Sequence, residues 1–457
     1  MRCEVCIEAL GAGGDGIAYH DGTRVFVAGA LPGERVQVDL GRVAKDGYHA
    51  RLLERFNDGA ARTEPVCEYF AGDRGSGGSG GSGGCGGCVA QHIAALPYAA
   101  WKLTTLRDAL AHRGLGDTPV AALISYPPAS RRRARFAVSG NGMLGFRRRG
   151  ASEIIAIAHC PVVLPALEAL LTPLGQLAAE IGGGLNEISL TQAHHGLDVI
   201  LHGLEAPPGM ALREDLAAFA QTHGIARLSV EITGGGRRGA KSGGSKRGRH
   251  RKRRGARELE TITQPGAVRA GFGAADVALP VGAFLQATAA GEAAINRLVL
   301  QGLDLEQESH AHIADLYAGI GAIGFSLISA RAGQRVAMFE GVAAMAAAAE
   351  AAARTAGLAV STEARDLARR PLSVAELKPF DAVIFDPPRA GARAQAETLA
   401  ASGVARIAAV SCNPASFARD ARILVNGGYR LTGLTPIDQF LWSNHVELVA
   451  LFQRDSN

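Results

Sequence analysis

Aromatic residues make up only 5% of this 457-residue chain, two of them tryptophans, and methionine is rare too, at five. Alanine, valine and leucine must therefore build most of the interior. Long apolar runs are scarce as well. The alanine-rich stretches are broken by charge, so none is suited to span a bilayer, and the N-terminus shows no secretory signal. Seven cysteines are too few to staple a chain this long. Without a leader they point to a reducing compartment, and so to metal binding or catalysis rather than disulfides. These absences predict a cytoplasmic protein, with no membrane partner and room for two or three cored domains.

Acidic residues are missing from one stretch in particular. Between Arg237 and Arg254 there are ten Lys and Arg and no Asp or Glu, and without them the net charge of +5 becomes −5. The domains are thus mildly acidic, and the basicity belongs to a Gly/Ser/Arg insertion at 234–257 that cannot bury a core. It is expected to be a disordered arm for polyanions such as RNA, with a solvated linker as the alternative. A second insertion, "GDRGSGGSGGSGG", is nearly uncharged and reads as a flexible loop.

The first 40 residues alternate apolar and polar positions between glycine-rich turns, which predicts four or five short strands and a small β-barrel. Cys3 and Cys6 form a CxxC there. On a strand they point to opposite faces, so they cannot close one tetrahedral metal site.

From about His312 the pattern changes to alternating strands and helices. "HIADLYAGIGAIGFSLISA" is an apolar strand, a glycine loop and a helix, with Gly319, Gly321 and Gly324 at GxGxxG spacing and Glu340 ending the next strand. NAD enzymes and S-adenosylmethionine enzymes share that signal: the glycines let backbone approach a ligand and the acid accepts from a ribose. "FDAVIFDPPRAG" then ends a buried strand in Asp386-Pro387-Pro388-Arg389. Methyltransferases commonly carry an acid-Pro-Pro there, and Arg389 in place of an aromatic argues against methylation of an exocyclic nitrogen. "RIAAVSCNPASFARDARILV" places Cys412 between a buried strand and a helix with proline in its first turn. In an open α/β sheet, that edge is where ligands bind.

In order along the chain, "GGDGIAYHDGTRVFVAGALPGERV", "CGGC", "SRRRARF", "GFRRRGASEIIAIAHCPV", "GAFLQAT", "DLYAGIG", "DPPRAG", "VSCNP" and a final "HVE" resemble the uracil-C5 RNA methyltransferases of the RumA/TrmA type. The resemblance is to the branch with a TRAM barrel and an iron–sulfur cluster. It implies an α/β class I, Rossmann-like methyltransferase domain whose seven-stranded sheet has a reversed last strand. A TRAM/OB-like β-barrel at 1–57 would precede it, with an α+β central RNA-binding domain formed by 58–96 and 125–270. The methyltransferase domain would comprise 97–124 and 271–457, the helix "LPYAAWKLTTLRDALAHRG" leaving the central domain to pack on it.

The implied reaction methylates carbon 5 of a uridine in RNA, in the ribosomal-RNA branch a 23S uridine, by a protein acting as a monomer. Carbon 5 of uracil is a poor nucleophile. A thiolate added at carbon 6 makes it an enolate, and a base must afterwards take the carbon-5 proton. By resemblance Cys412 is the nucleophile and Glu447 the base. The helix N-terminus after Cys412 is expected to lower the thiol's pKa. S-adenosylmethionine would meet Gln286, Tyr317, Gly319, Gly321, Glu340, Asp366 and Asp386. Phe284 would lie against the target base, and Arg131, Arg132 and Arg133 would bind RNA. A 4Fe–4S cluster would sit on Cys67, Cys85, Cys88 and Cys160, although the glycine-rich tract stretches the interval between the first two. Ala318, Ala322, Thr288 and Leu441 depart from the family's usual residues around the donor loop and the terminal motif. A cytosine-C5 methyltransferase, or a non-catalytic RNA-binding or assembly factor, are the alternative readings.

Overall fold

The computed structural model describes residues 1–70, 84–233, 257–305, 310–330 and 333–454. The arm from Arg237 to Arg254 lies outside them. Its flanking strands, Arg227–Thr233 and Arg257–Thr263, pair antiparallel, so the insertion interrupts a hairpin and not a core element.

Three main sheets follow one another. The first has six strands, all between Arg2 and Arg55, and curls around a small core of Val5, Val25, Val27, Val36 and Val38. The alternation read from the sequence holds on Arg2–Cys6: Cys3 packs against that core while Cys6 is exposed. The second sheet is seven-stranded and covers 133–263, with the helices Leu171–Ile181 and Met210–Thr222 packed on one face through Leu174, Leu177, Leu216 and Ala220.

The third sheet holds eight strands. Its parallel part is Val360–Ala364, Arg335–Glu340, His312–Leu316, Ala382–Phe385 and Arg406–Ser411, in that spatial order. Glu447–Gln453 then enters antiparallel between Arg406–Ser411 and Arg430–Asp438. The reversed last strand is therefore present. The expectation of seven strands falls one short, because Ile124–Ser125 pairs with Ile437 and Asp438 at the far edge. That short strand covers backbone groups an edge would otherwise expose.

The connecting helix Ala95–Ala111 does pack on the third sheet's side of the molecule. Lys102, with its side chain 2% exposed, donates to Asp438 Oδ1 at 2.5 Å and to the carbonyls of Phe440 and His445. Tyr98 donates to Asp438 Oδ2 at 2.7 Å and accepts from the Trp442 N–H. Trp101 donates to the Gly11 carbonyl, so the same helix also holds the barrel. Among the described residues no helix is long and apolar enough to cross a membrane.

Candidate active site

Sheet topology decides which residues meet. Parallel strands end at one edge, and Tyr317, Glu340, Asp386 and Cys412 each close or directly follow such a strand. The antiparallel strand begins at that edge. Ser411 lies opposite Leu448, so one more step along the register sets Cys412 opposite Glu447. These residues, with Gln286, Gly319, Asp366 and Phe284, line one cavity of about 650 Å³.

Its donor end is built from backbone geometry. Glu340 accepts from the Gly319 N–H at 2.8 Å and from the Val342 N–H at 2.7 Å, which fixes its carboxylate at the strand end. Gly319 has φ +60° and open space where a Cβ would stand. Tyr317 holds φ +61°, an uncommon conformation for a side-chain-bearing residue and one that collects at functional sites. Gly321 differs from its sequence assignment: it is absent from the cavity wall, and a Cβ there would strike Phe325 and the Met338 sulfur. Gly324 likewise lets the helix Ala322–Ala330 approach Met338 and donates to the buried Asp315. Both serve packing.

Three changed positions also find their places. Thr288 caps the helix Ala289–Leu303 by accepting from the Gly291 N–H, a task threonine performs well. Ala318 and Ala322 line the cavity.

Electrostatics run against the thiol. Burial, then Glu447 and Asp386, push Cys412 up to about 11. This corrects the expectation from the helix N-terminus. Asn413 caps that helix by accepting from the Ala415 N–H, and two nearby carboxyls outweigh a partial dipole charge. Burial also raises Asp386 to about 7, against the stabilising bond from Gln286, and Glu447 well above the usual carboxylate range with Asp386 adding to the effect.

A hydrogen-bonded chain that sequence patterns did not reveal joins the two carboxyls. Gln286 Nε2 donates to Asp386 Oδ2 at 3.2 Å, and Gln439 Nε2 donates to both Gln286 Oε1 at 2.7 Å and Glu447 Oε2 at 2.9 Å. The signal was weak, since these pairs are about 100 to 153 residues apart except for Gln439 and Glu447.

At the cavity mouth Phe284 is 58% exposed, with the Arg133 guanidinium 4.4 Å above its ring. Arg131 stacks on Phe440. Arg132 is turned further inward than its two half-buried neighbours. It is 2% exposed, donating to the Gln286 carbonyl and pairing with Glu292 at 2.6 Å. Burial of that pair sets Gln286's backbone and leaves little guanidinium to meet RNA.

A second cavity, about 290 Å³, is lined by Cys67, Cys85, Cys88 and Cys160 together with Arg131 and residues 441 and 443–445. Burial raises all four thiols, Cys85 to about 11 and Cys88 to about 12. Charge on others of the set adds to the rise at Cys67, Cys85 and Cys88, while Arg131 works against it at Cys160. The stretched interval is no obstacle to their meeting, because Phe70 and Cys85 pair at the two ends of the tract. Among the described residues, no group of three His, Cys, Asp or Glu is set to hold a metal ion.

Residues 2–53 match the TRAM domain, and residues 280–455 match the tRNA (Uracil-5-)-methyltransferase family. An uncharacterized RNA methyltransferase of Rhizobium meliloti is 38% identical, with 98% of this chain and 99% of that protein covered. The 23S rRNA (uracil(1939)-C(5))-methyltransferase RlmD of Edwardsiella ictaluri is 30% identical over 97% of this chain and 94% of its own length. In fold the chain resembles a Pyrococcus abyssi tRNA (uracil-54, C5)-methyltransferase crystallised with S-adenosyl-L-homocysteine. The TM-score is 0.72 and the identity 21%, with 98% and 99% of the two chains covered. The chain belongs to the TRAM-bearing family of uracil-C5 RNA methyltransferases.

Proposed function

We propose that this protein methylates carbon 5 of a uridine in large-subunit ribosomal RNA through a covalent bond between Cys412 and carbon 6. What carries the reading is the convergence of a thiol, two high-pKa carboxyls and an exposed aromatic on one cavity. S-adenosylmethionine, when bound, supplies an electrophilic methyl group. Glu340 suits its ribose, Gly319 lets backbone approach it, and Gln286, Tyr317, Asp366 and Asp386 complete the wall. A sulfonium beside Asp386 favours both the carboxylate and the Cys412 thiolate, so donor binding would prime the nucleophile.

The Cys412 thiolate adds to carbon 6, and the electron pair released to carbon 5 forms the new carbon–carbon bond. The methyl–sulfur bond breaks as it forms, its electrons staying on the departing thioether, S-adenosylhomocysteine. Glu447 then takes the carbon-5 proton, and the carbon 6–sulfur bond breaks to restore the ring. A base held at high pKa is matched to that abstraction near neutral pH. The target must leave its stack to reach the thiol, and Phe284, backed by Arg133, offers a face for it.

The ribosomal assignment rests on the 23S rRNA specificity in the name of the Edwardsiella relative. The barrel does not decide it, since the Pyrococcus tRNA methyltransferase covers 98% of this chain. Mapping 5-methyluridine in a deletion strain tests it. Loss is expected at one position of the large-subunit RNA, and loss from tRNA alone would overturn the assignment.

The four cysteines that share the second cavity suit a 4Fe–4S cluster, since four thiolates are its usual ligands and Arg131 supplies compensating positive charge. Its contribution would be to hold the segments around 67, 85 and 160 together beside the 441–445 loop. Anaerobically purified protein is expected to be brown, with about four irons per chain. Colourless protein with stoichiometric zinc would reject the cluster.

A further inference from the structure

We infer that Gln439 is a positioning residue for the second half of the reaction, aiming Glu447 at the carbon-5 proton and linking it to the donor site. The inference rests on the uridine C5 reading. Its geometry is set by a donor that cannot reverse. The Ala287 backbone N–H donates to Gln439 Oε1 at 3.0 Å, so the amide must turn its NH₂ the other way. Both of its N–H groups are then used, one on Gln286 Oε1 and one on Glu447 Oε2.

Because Gln286 accepts from Gln439, its own NH₂ faces Asp386. One fixed N–H therefore orients every amide between the two carboxyls. Glu447 Oε2, accepting from Gln439, is tethered, and Oε1 is left to receive the proton.

The surroundings are shaped for this amide. Gln439 is 2% exposed and Glu447 3%. Gly291, in the first turn of the helix Ala289–Leu303, lies so close that a Cβ would stand 2.7 Å from the capping Thr288 Oγ1, 3.0 Å from Gln439 Oε1 and 3.1 Å from the Gln439 Cβ. A larger residue at 291 crowds both the amide and the Thr288 cap. A buried amide left without its partners would be costly, yet here each group is satisfied.

Methionine fills the volume of glutamine but makes none of its hydrogen bonds. Gln439→Met should therefore allow addition and methyl transfer while slowing proton removal. The expected result on ordinary uridine RNA is a methyl-labelled, denaturant-resistant RNA–protein adduct that wild type does not accumulate. Turnover should fall roughly tenfold to hundredfold, less than the ~10²–10⁴ that a general base supplies, since Gln439 positions the base and is not itself the base. Gly291→Ala, which crowds the amide and the Thr288 cap without removing either, should show the same adduct more weakly.

Binding of S-adenosylhomocysteine verifies the fold of each variant, and if Gln439→Met fails that check Gly291→Ala decides. Wild type with 5-fluorouridine RNA separates the two readings. No adduct there would refute the reaction itself. A wild-type adduct, with folded variants that turn over normally and trap nothing, would refute the role of Gln439. So would variants that lose even the first methyl transfer, since Gln439 would then act before the step assigned to it.

Discussion

Replacing Cys412 by alanine is expected to abolish methyl transfer while S-adenosylmethionine still binds. The thiol is the group in the cavity able to form a bond to carbon 6, and without that bond carbon 5 stays too electron-poor to take a methyl group. The donor wall is made by other residues, chiefly Gln286, Glu340 and Asp386, so binding measured by calorimetry should change little. The pH dependence of the wild type follows from the same site. Cys412 near 11 and Asp386 near 7 are both protonated more at low pH. Cys412 must ionise for addition, and an ionised Asp386 favours the cationic donor. At subsaturating donor the rate should therefore climb from pH 6 to pH 9. A flat profile, or an alanine variant with appreciable turnover, would place the chemistry elsewhere.

Lys102→Met should give the largest loss of stability. Lys102 and Asp438 are side chains only 2% and 0% exposed, and burial already presses the lysine's pKa downward against the attraction of Asp438. Removing the cation leaves Asp438 buried with Tyr98 as its remaining side-chain donor. Breaking a buried pair in this way costs about 3–5 kcal/mol. The chain's two tryptophans, Trp101 and Trp442, pack in the cluster beside this pair, so their fluorescence reports it directly in a urea titration. Adding Asp438→Asn should recover part of the loss, because no unpaired charge is then buried. A single variant within 1 kcal/mol of wild type would contradict this, as would a double variant weaker than the single.

How far the site could be read from residues alone depended on whether the cause was local. Cys412 was legible because an apolar run followed by Asn-Pro marks a strand end and a helix start within ten residues, and both are present. The reversed last strand was implied by the family resemblance and is present. The acidity of the thiol was misjudged for the opposite reason. The helix after it is local, whereas Glu447 and Asp386 arrive from other strands. Gly321 and Gly319 share a motif that spacing cannot divide, and only packing separates the glycine that faces the cavity from the one that meets Phe325. Arg132 reads like its neighbours but turns inward because Glu292, on a helix 160 residues later, awaits it. Lys102 and Gln439 were missed entirely, as neither carries a signal before the fold brings Asp438 or Gln286 to it.

The most direct measurement is the fate of the hydrogen on carbon 5. RNA transcribed with [5-³H]uridine and incubated with the protein and S-adenosylmethionine should release tritium to water, one for each methyl group gained. Neither event should occur with Cys412→Ala. Methyl groups gained while the tritium stays on the ring would mean that another atom is methylated, and would contradict the chemistry assigned to Cys412 and Glu447.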